Sequence, residues 1–415
     1  MMFSQSNNTL KLLAVLIMVY GLSSCGKDDE HLSQSNKGIF SKATIVKVDY
    51  SRVHYVGRTF QDGRFPFCRH KKCGFIDTTG KEIIPPQYDE VSNFSEGLAK
   101  VTQITGNRGY FGIGGDKHSG FIDKTGKVLI PISDTYEYGY GFHSGLVFFK
   151  SDEKSGFMDK TGKIAFLLPQ GISSVEHFSD GLVKIKNHEN NKYGFMDTQG
   201  NIVIPTQYDN ALDFSNGLVA VKQGDVWGYV DKTGKEVIPL QYRNANSFGE
   251  NVATVEKSLG NYVIIDKTGK EIRESEYANS EFHEELTSFS EYQFEKTKNK
   301  QGEQDFRSKK LVGFMDKNGK KVIPAQYRKV YAFSDGLAAV LPDNSTVQTA
   351  FGEIIKNGSG WGYIDKTGKM LIKPQFGDVE KFTDGLARVT KNGEECFINK
   401  KGKVVIRFVQ LPEER

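Results

Sequence analysis

The clearest signal in the chain is a recurring alternation of short apolar runs with turn residues. Leu218-Val219-Ala220-Val221 is followed after a few polar residues by Trp227 to Val230, and then by Asp231-Lys232-Thr233-Gly234. Short runs rich in β-branched and aromatic residues, bounded by glycine and aspartate, predict strands rather than helices. The Asp-x-x-Gly element is a turn with a physical basis. The carboxylate accepts nearby backbone N–H groups, and glycine supplies the left-handed conformation that closes a hairpin. Lys235 to Ile238 returns as a further strand. Pro239 cannot donate to a ladder, so it ends that strand or lies on an edge. Tyr242 to Phe248 reads as a fourth, less regular strand.

This unit is restated along the chain. Its turn recurs at Asp77–Gly80, Asp123–Gly126, Asp159–Gly162, Asp197–Gly200, Asp231–Gly234, Asp266–Gly269, Asp316–Gly319 and Asp365–Gly368, with Asn399 and Gly402 as a ninth version. Turn starts are 34 to 50 residues apart, which predicts a unit of about 35 residues with insertions. A second phrase, Phe-x-acidic-Gly-Leu with Ser usual at x, recurs at Phe94, Phe178, Phe333 and Phe382, at Phe214 with Asn in the acidic place, and in degraded form at Phe60, Phe142, Phe248 and Phe282. About nine units are therefore expected over 44–409, the first and last being irregular as capping repeats are, with a tail at 410–415. A single unit is too small to bury a core, so each must be covered by its neighbours. Two stretches break the rhythm, the highly charged 274–310 and the polar 341–359. Both are expected to be long loops, and either could carry binding specificity or be a disordered insertion.

One longer apolar run, Leu12 to Leu22, follows Lys11. Eleven residues are too few to cross a bilayer as a helix, and the charged start with small residues after the run predicts an export signal over 1–24. Leu22-Ser23-Ser24-Cys25 resembles a bacterial lipobox, which implies cleavage before Cys25 and acylation of its thiol. Two or three acyl chains anchor stably where one does not. Residues 25–43 then form a tether. Gly26 stands where a retention signal would put Asp, and Gly26-Lys27-Asp28-Asp29-Glu30 is similar to the tag that sends some Gram-negative lipoproteins to the cell surface. An outer-membrane lipoprotein is the expected location, with surface exposure and a merely solvated tether both open.

Composition agrees with this reading. There are 44 Gly against 11 Pro, with 29 Phe and 18 Tyr, as a turn-rich β-chain requires. The formal charge of +4 is spread along the chain, without the concentrated basic footprint that nucleic acid needs. Membrane contact is expected through the acyl anchor only. Cys68-Arg69-His70-Lys71-Lys72-Cys73 places two cysteines on either side of a short hairpin loop. A disulfide, free thiols and a metal site are three readings of it. The exported setting permits the first, and two lysines oppose the third. Cys396 stands in a repeat glycine place and reads as a buried thiol. Asp-Lys-Thr-Gly also opens the phosphorylated motif of P-type ATPases, but those pumps need one such Asp and many membrane helices. The chain has five copies of the motif, so the hairpin turn is the better reading. Catalytic, metal and cofactor residues are all expected to be absent. Recurrent Tyr88, Tyr208, Tyr242, Tyr327 and Phe376 could be core or could line a sugar- or peptide-binding face.

Trp361-Gly362-Tyr363-Ile364-Asp365-Lys366-Thr367-Gly368-Lys369 resembles the bacterial WG repeat, also called the KWG repeat, and the likeness extends over roughly Phe60 to Ile406. The resemblance implies tandem β-units in exported or surface proteins with binding roles and no shared catalytic residues. Trp precedes the glycine only at Trp227 and Trp361; Tyr193 and Tyr262 hold the place in two other units. These four are the candidate binding aromatics. The expected fold is all-β, an antiparallel β-propeller, with an open hairpin solenoid as the rival. The expected function is an envelope scaffold that binds a protein or glycan. A spacer without a ligand and a hydrolase within 274–310 are the alternatives.

Overall fold

The computed structural model describes residues 43–48, 59–106, 115–139, 141–275, 281–298, 304–343 and 360–411. Cys25, the signal segment, most of the tether, most of the 341–359 insertion and nearly all of the tail lie outside these residues. Every regular element described is a strand, and the strands form eight small sheets arranged as a β-propeller. Nine repeats occupy the eight sheets because repeats 7 and 8 share one six-stranded sheet, joined through the long strand Lys321–Val330.

Repeat 5 shows the common plan. Leu218–Gln223 and Val226–Asp231 form a hairpin, and Glu236–Tyr242 pairs back on the second strand. One residue further on, Asn244–Ala245 pairs with Val252–Ser258 of repeat 6. Each third strand thus hands the chain to the next repeat, which is why the units come in fixed order.

The Asp-x-x-Gly turns are built as the sequence predicts. Asp231 Oδ1 accepts the Thr233 hydroxyl at 2.6 Å, the Thr233 N–H at 2.9 Å and the Lys235 N–H at 3.1 Å, while Gly234 lies at φ 83°. The backbone bonds recur at Asp77, Asp123, Asp159, Asp197, Asp266, Asp316 and Asp365, and the hydroxyl bond at all of these except Asp197 and Asp316, where Gln199 and Asn318 replace the threonine. Bonds to the ionised form favour it, and the Thr233 hydroxyl followed by the backbone N–H groups holds Asp231 below its ordinary range.

The invariant-looking glycine of the strand has a different cause. A Cβ on Gly228 would lie 2.6 Å from the Ile238 carbonyl oxygen and 2.7 Å from the Leu240 nitrogen. The third strand bulges across it around Pro239, and the ladder skips from Trp227 to Tyr229. Repeats 6 and 9 fit this account, although repeat 3 keeps Gly156, 2.3 Å from the Phe166 carbonyl oxygen for an added Cβ, with Leu167 in the proline place and paired straight across. Where Val263 and Cys396 replace the glycine, the partner strands lack the proline and pair straight across, Val263 with Glu274 and Cys396 with Arg407.

The ring is closed. Thr44–Val48 adds to the last repeat as a strand parallel to Val404–Gln410. Val46, Val48, Phe60, Phe65, Phe397 and Phe408 form one buried cluster from the two ends of the repeat array. Asp384 of repeat 9 accepts the Gly63 N–H of repeat 1 at 2.8 Å. An open solenoid would leave these groups apart.

One expectation changes, and one left open is decided. Much of 274–310 is not a loop: Leu286–Lys298 and Gln304–Asp316 pair along thirteen residues as one long hairpin. Its high charge masked an alternation that puts Tyr292 and Phe294 on one face, where both are exposed. Tyr88, Tyr208, Tyr242, Tyr327 and Phe376 are buried core residues, not a binding face. Cys68 and Cys73 are joined in a disulfide across a directly opposed pair. Cys396 is buried, and burial pushes its thiol up to about 12.

Candidate binding cleft

The Phe-Ser-acidic-Gly-Leu phrase stitches neighbouring repeats together. The serine hydroxyl donates to the phenylalanine carbonyl of the next repeat, as in Ser95 to Phe142, Ser179 to Phe214, Ser215 to Phe248 and Ser334 to Phe382, at 2.6 to 2.7 Å. The acidic side chain accepts the N–H in the next glycine place. Asp62 takes Gly97, Glu96 takes Gly145, Asp180 takes Gly217, Glu284 takes Gly336 and Asp335 takes Gly385. Glu250 takes the Glu284 and Glu285 N–H groups. Between repeats 5 and 6, Asn216 donates to the Phe248 carbonyl at 3.0 Å instead.

One junction has neither link among the described residues. Repeat 3 reads Phe142-His143-Ser144-Gly145-Leu146, with histidine in the serine place and serine in the acidic place. Among the described residues no side chain of repeat 3 reaches the Phe178 carbonyl or the Gly181 N–H of repeat 4. A cleft of about 330 Å³ opens there. Its wall is formed by Leu146, Phe148, Phe157, Val175 and Phe178, and its polar groups are His143, Glu176 and His177. Phe157 and Phe178 meet edge to face at 4.9 Å between ring centres, and Phe148 remains half-buried.

The two imidazoles face one another across the junction, 4.9 Å between ring centres. Burial holds the His143 imidazole below its ordinary value, and His177 adds to this while Glu96 opposes it. Glu176 is paired with Lys184 at 3.0 Å, and Lys184 also reaches Asp213 at 3.4 Å. The cleft is thus mostly apolar with a few convergent polar groups, the combination that ligand sites show.

Hollows of about 330, 530 and 610 Å³ also lie where repeat 6 meets repeat 7, a junction that keeps its Glu250 link. The two larger are lined mainly by turn and polar residues, and the Asp266 and Asp316 carboxylates there already accept turn N–H groups. No cluster of three or more His, Cys, Asp or Glu among the described residues is placed to hold a metal.

The aromatics singled out by sequence do not converge on this cleft. Trp227, Tyr193, Tyr262 and Trp361 occupy the same place in four repeats and are held apart by the ring. Trp227 and Trp361 are 8% exposed; Trp227 packs in the core between repeats 5 and 6, and Trp361 is stacked beneath Tyr331 at 4.9 Å. Tyr193 and Tyr262 are half-buried, with Lys186 over the Tyr193 ring. The turn residues Asp77 to Gly368 serve the hairpins, as their bonds show. His143 and His177 were legible only as departures from the repeat phrase, a signal that marks a broken pattern without saying what the break does.

A closed all-β ring of tandem units with one unlinked junction defines the protein as a repeat β-propeller. Six of its segments, 74–103, 120–154, 193–227, 227–262, 313–344 and 361–394, match the WG containing repeat. The Trp361 segment, whose resemblance to this repeat was read from the sequence, is among those matched. No curated protein sequence matches it. Among solved structures it is similar to a eukaryotic initiation factor at 11% identity and a TM-score of 0.46, covering 78% of this chain and 87% of that one. It is also similar to BamB from Moraxella catarrhalis at 11% identity and a TM-score of 0.35, covering 84% and 97%.

Proposed function

We propose that the protein is a lipid-anchored binding scaffold of the cell envelope, and that it takes an apolar side chain of a partner protein into the cleft between repeats 3 and 4. The observation that carries this reading is the coincidence of the cleft with the one junction stripped of both inter-repeat links. A propeller under selection for rigidity alone has no reason to drop two hydrogen bonds there and leave Phe148 half-open. Buried aromatic pockets are where interfaces concentrate their binding energy. The remaining repeats position this junction and supply a polar rim. Binding rather than catalysis is proposed because no nucleophile stands beside a general base at the cleft.

Two results test it. Protein lacking residues 1–24 should capture a discrete partner from envelope extracts, and Phe148→Ser should lower that capture at least about tenfold, the worth of a lost apolar anchor, with an unchanged circular dichroism spectrum. Equal capture by the variant would remove the cleft from the function, and capture of a glycan would replace the protein partner. Separately, Cys25→Ser should move the protein from membranes to the soluble fraction. Retention on membranes would defeat the anchor.

A further inference from the structure

We infer that the junction between repeats 3 and 4 is a proton-operated gate, closed near neutral pH and loosened by acid, with His143 and His177 as its sensor. The inference rests on the cleft as the binding site and concerns its regulation. Three features of the geometry carry it. The two rings meet across the junction at 4.9 Å. The serine and acidic links that clamp most other junctions are absent there, so little besides the apolar contacts opposes separation. The halves that would part, Leu146–Lys150 and Leu182–Asn187, belong to different sheets.

The charges around the pair fix the sign. From repeat 2, Glu96 favours protonated His143, but its carboxylate is already engaged by the Gly145 N–H and by Lys160 at 3.2 Å. From repeat 4, Glu176 lies beside His177 in the chain but is paired with Lys184, which Asp213 of repeat 5 also holds. No free carboxylate faces both rings. Burial, and after it the His177 ring alongside, disfavours a positive charge on His143. A histidine depressed in the closed state binds fewer protons closed than open, so closure is favoured above its ordinary value near 6.5 and is lost as pH falls below it. One pH unit below that value an imidazole in the open state is protonated about ten to one, so about tenfold is the upper limit on the shift of the opening equilibrium.

The test is amide hydrogen exchange on the full exported chain without any ligand, expressed as protection factors at pH 7.5 and 5.5. Amides of Leu146–Lys150 and Leu182–Asn187 should lose protection at pH 5.5, by up to about tenfold, while those of Leu218–Gln223 hold theirs. His177→Gln, at an exposed position that leaves the core intact, should reduce that loss without abolishing it, since burial of His143 remains and only the neighbouring ring is removed. Ser144→Asp, which restores an acceptor for the Gly181 N–H, should raise protection at both pH values. A uniform loss across the ring, or an undiminished loss in His177→Gln, overturns the gate. Because no partner is present, such a failure leaves the Phe148 result standing, and a failed Phe148 experiment leaves the gate standing.

Discussion

Gly228→Ala should destabilise the ring by about 3 kcal/mol, read as a lowered urea midpoint, because the added methyl would overlap backbone that cannot step aside. The methyl carbon would stand 2.6 Å from the Ile238 carbonyl oxygen, and the neighbouring Pro239 carbonyl carbon is 2.8 Å away. Relief requires flattening the bulge, and that shifts the third strand by one residue against the second. Cys396→Ala is the matching control, at the same place in a repeat without the bulge. It removes one sulfur from a buried site and should cost about 1 kcal/mol. Equal costs for the two would show that the glycine is tolerated for some reason other than the close approach.

Phe397→Ala should cost about 4 kcal/mol, the upper part of the range for a buried phenylalanine. Phe397 is fully buried and meets Phe60 and Phe65 edge to face at 4.9 Å, with Phe408 at 5.7 Å. These rings come from both ends of the repeat array, so the loss falls on closure. Amides of Thr44–Val48, which bond only to the last repeat, should lose protection before those of repeats 4 and 5. Truncating Phe195, which packs in the core between repeats 4 and 5 with its ring against Phe214 at 4.8 Å, should not produce that order. Simultaneous loss across all repeats in both variants would mean that the ring melts as one body whichever residue is cut.

Much of this architecture was legible because it is repeated. Nine copies of a turn make its chemistry visible, and Asp231 with Gly234 performs as its residue types require. Strand pairing within a unit followed from the same phrase. The closing strand was not legible in that way. Thr44–Val48 belongs to no repeat phrase, and only its three-dimensional partner explains it. The hairpin Leu286–Asp316 was misread because charge was weighed over alternation. Binding residues were sought among conspicuous aromatics, yet Trp227 is conspicuous because it fills the space between repeats. The candidate cleft instead lies where the phrase is spoiled, at His143 and Ser144. A repeat protein advertises its scaffold by regularity, and the places where its regular bonds are given up are the ones to inspect for use.

The parallel strand Thr44–Val48 has a consequence for how the molecule is made. It is synthesised before every repeat, yet its partner Val404–Gln410 is made after every other strand. Some 350 residues must leave the ribosome, and cross a membrane if the chain is exported, before Val46 and Val48 find cover, and contacts so distant along a chain form slowly. During that interval the greasy leading strand stays uncovered beside a growing, unclosed stack. A chaperone that holds such strands, or a tether that keeps this one away from its siblings on other nascent chains, would decide the yield of closed rings.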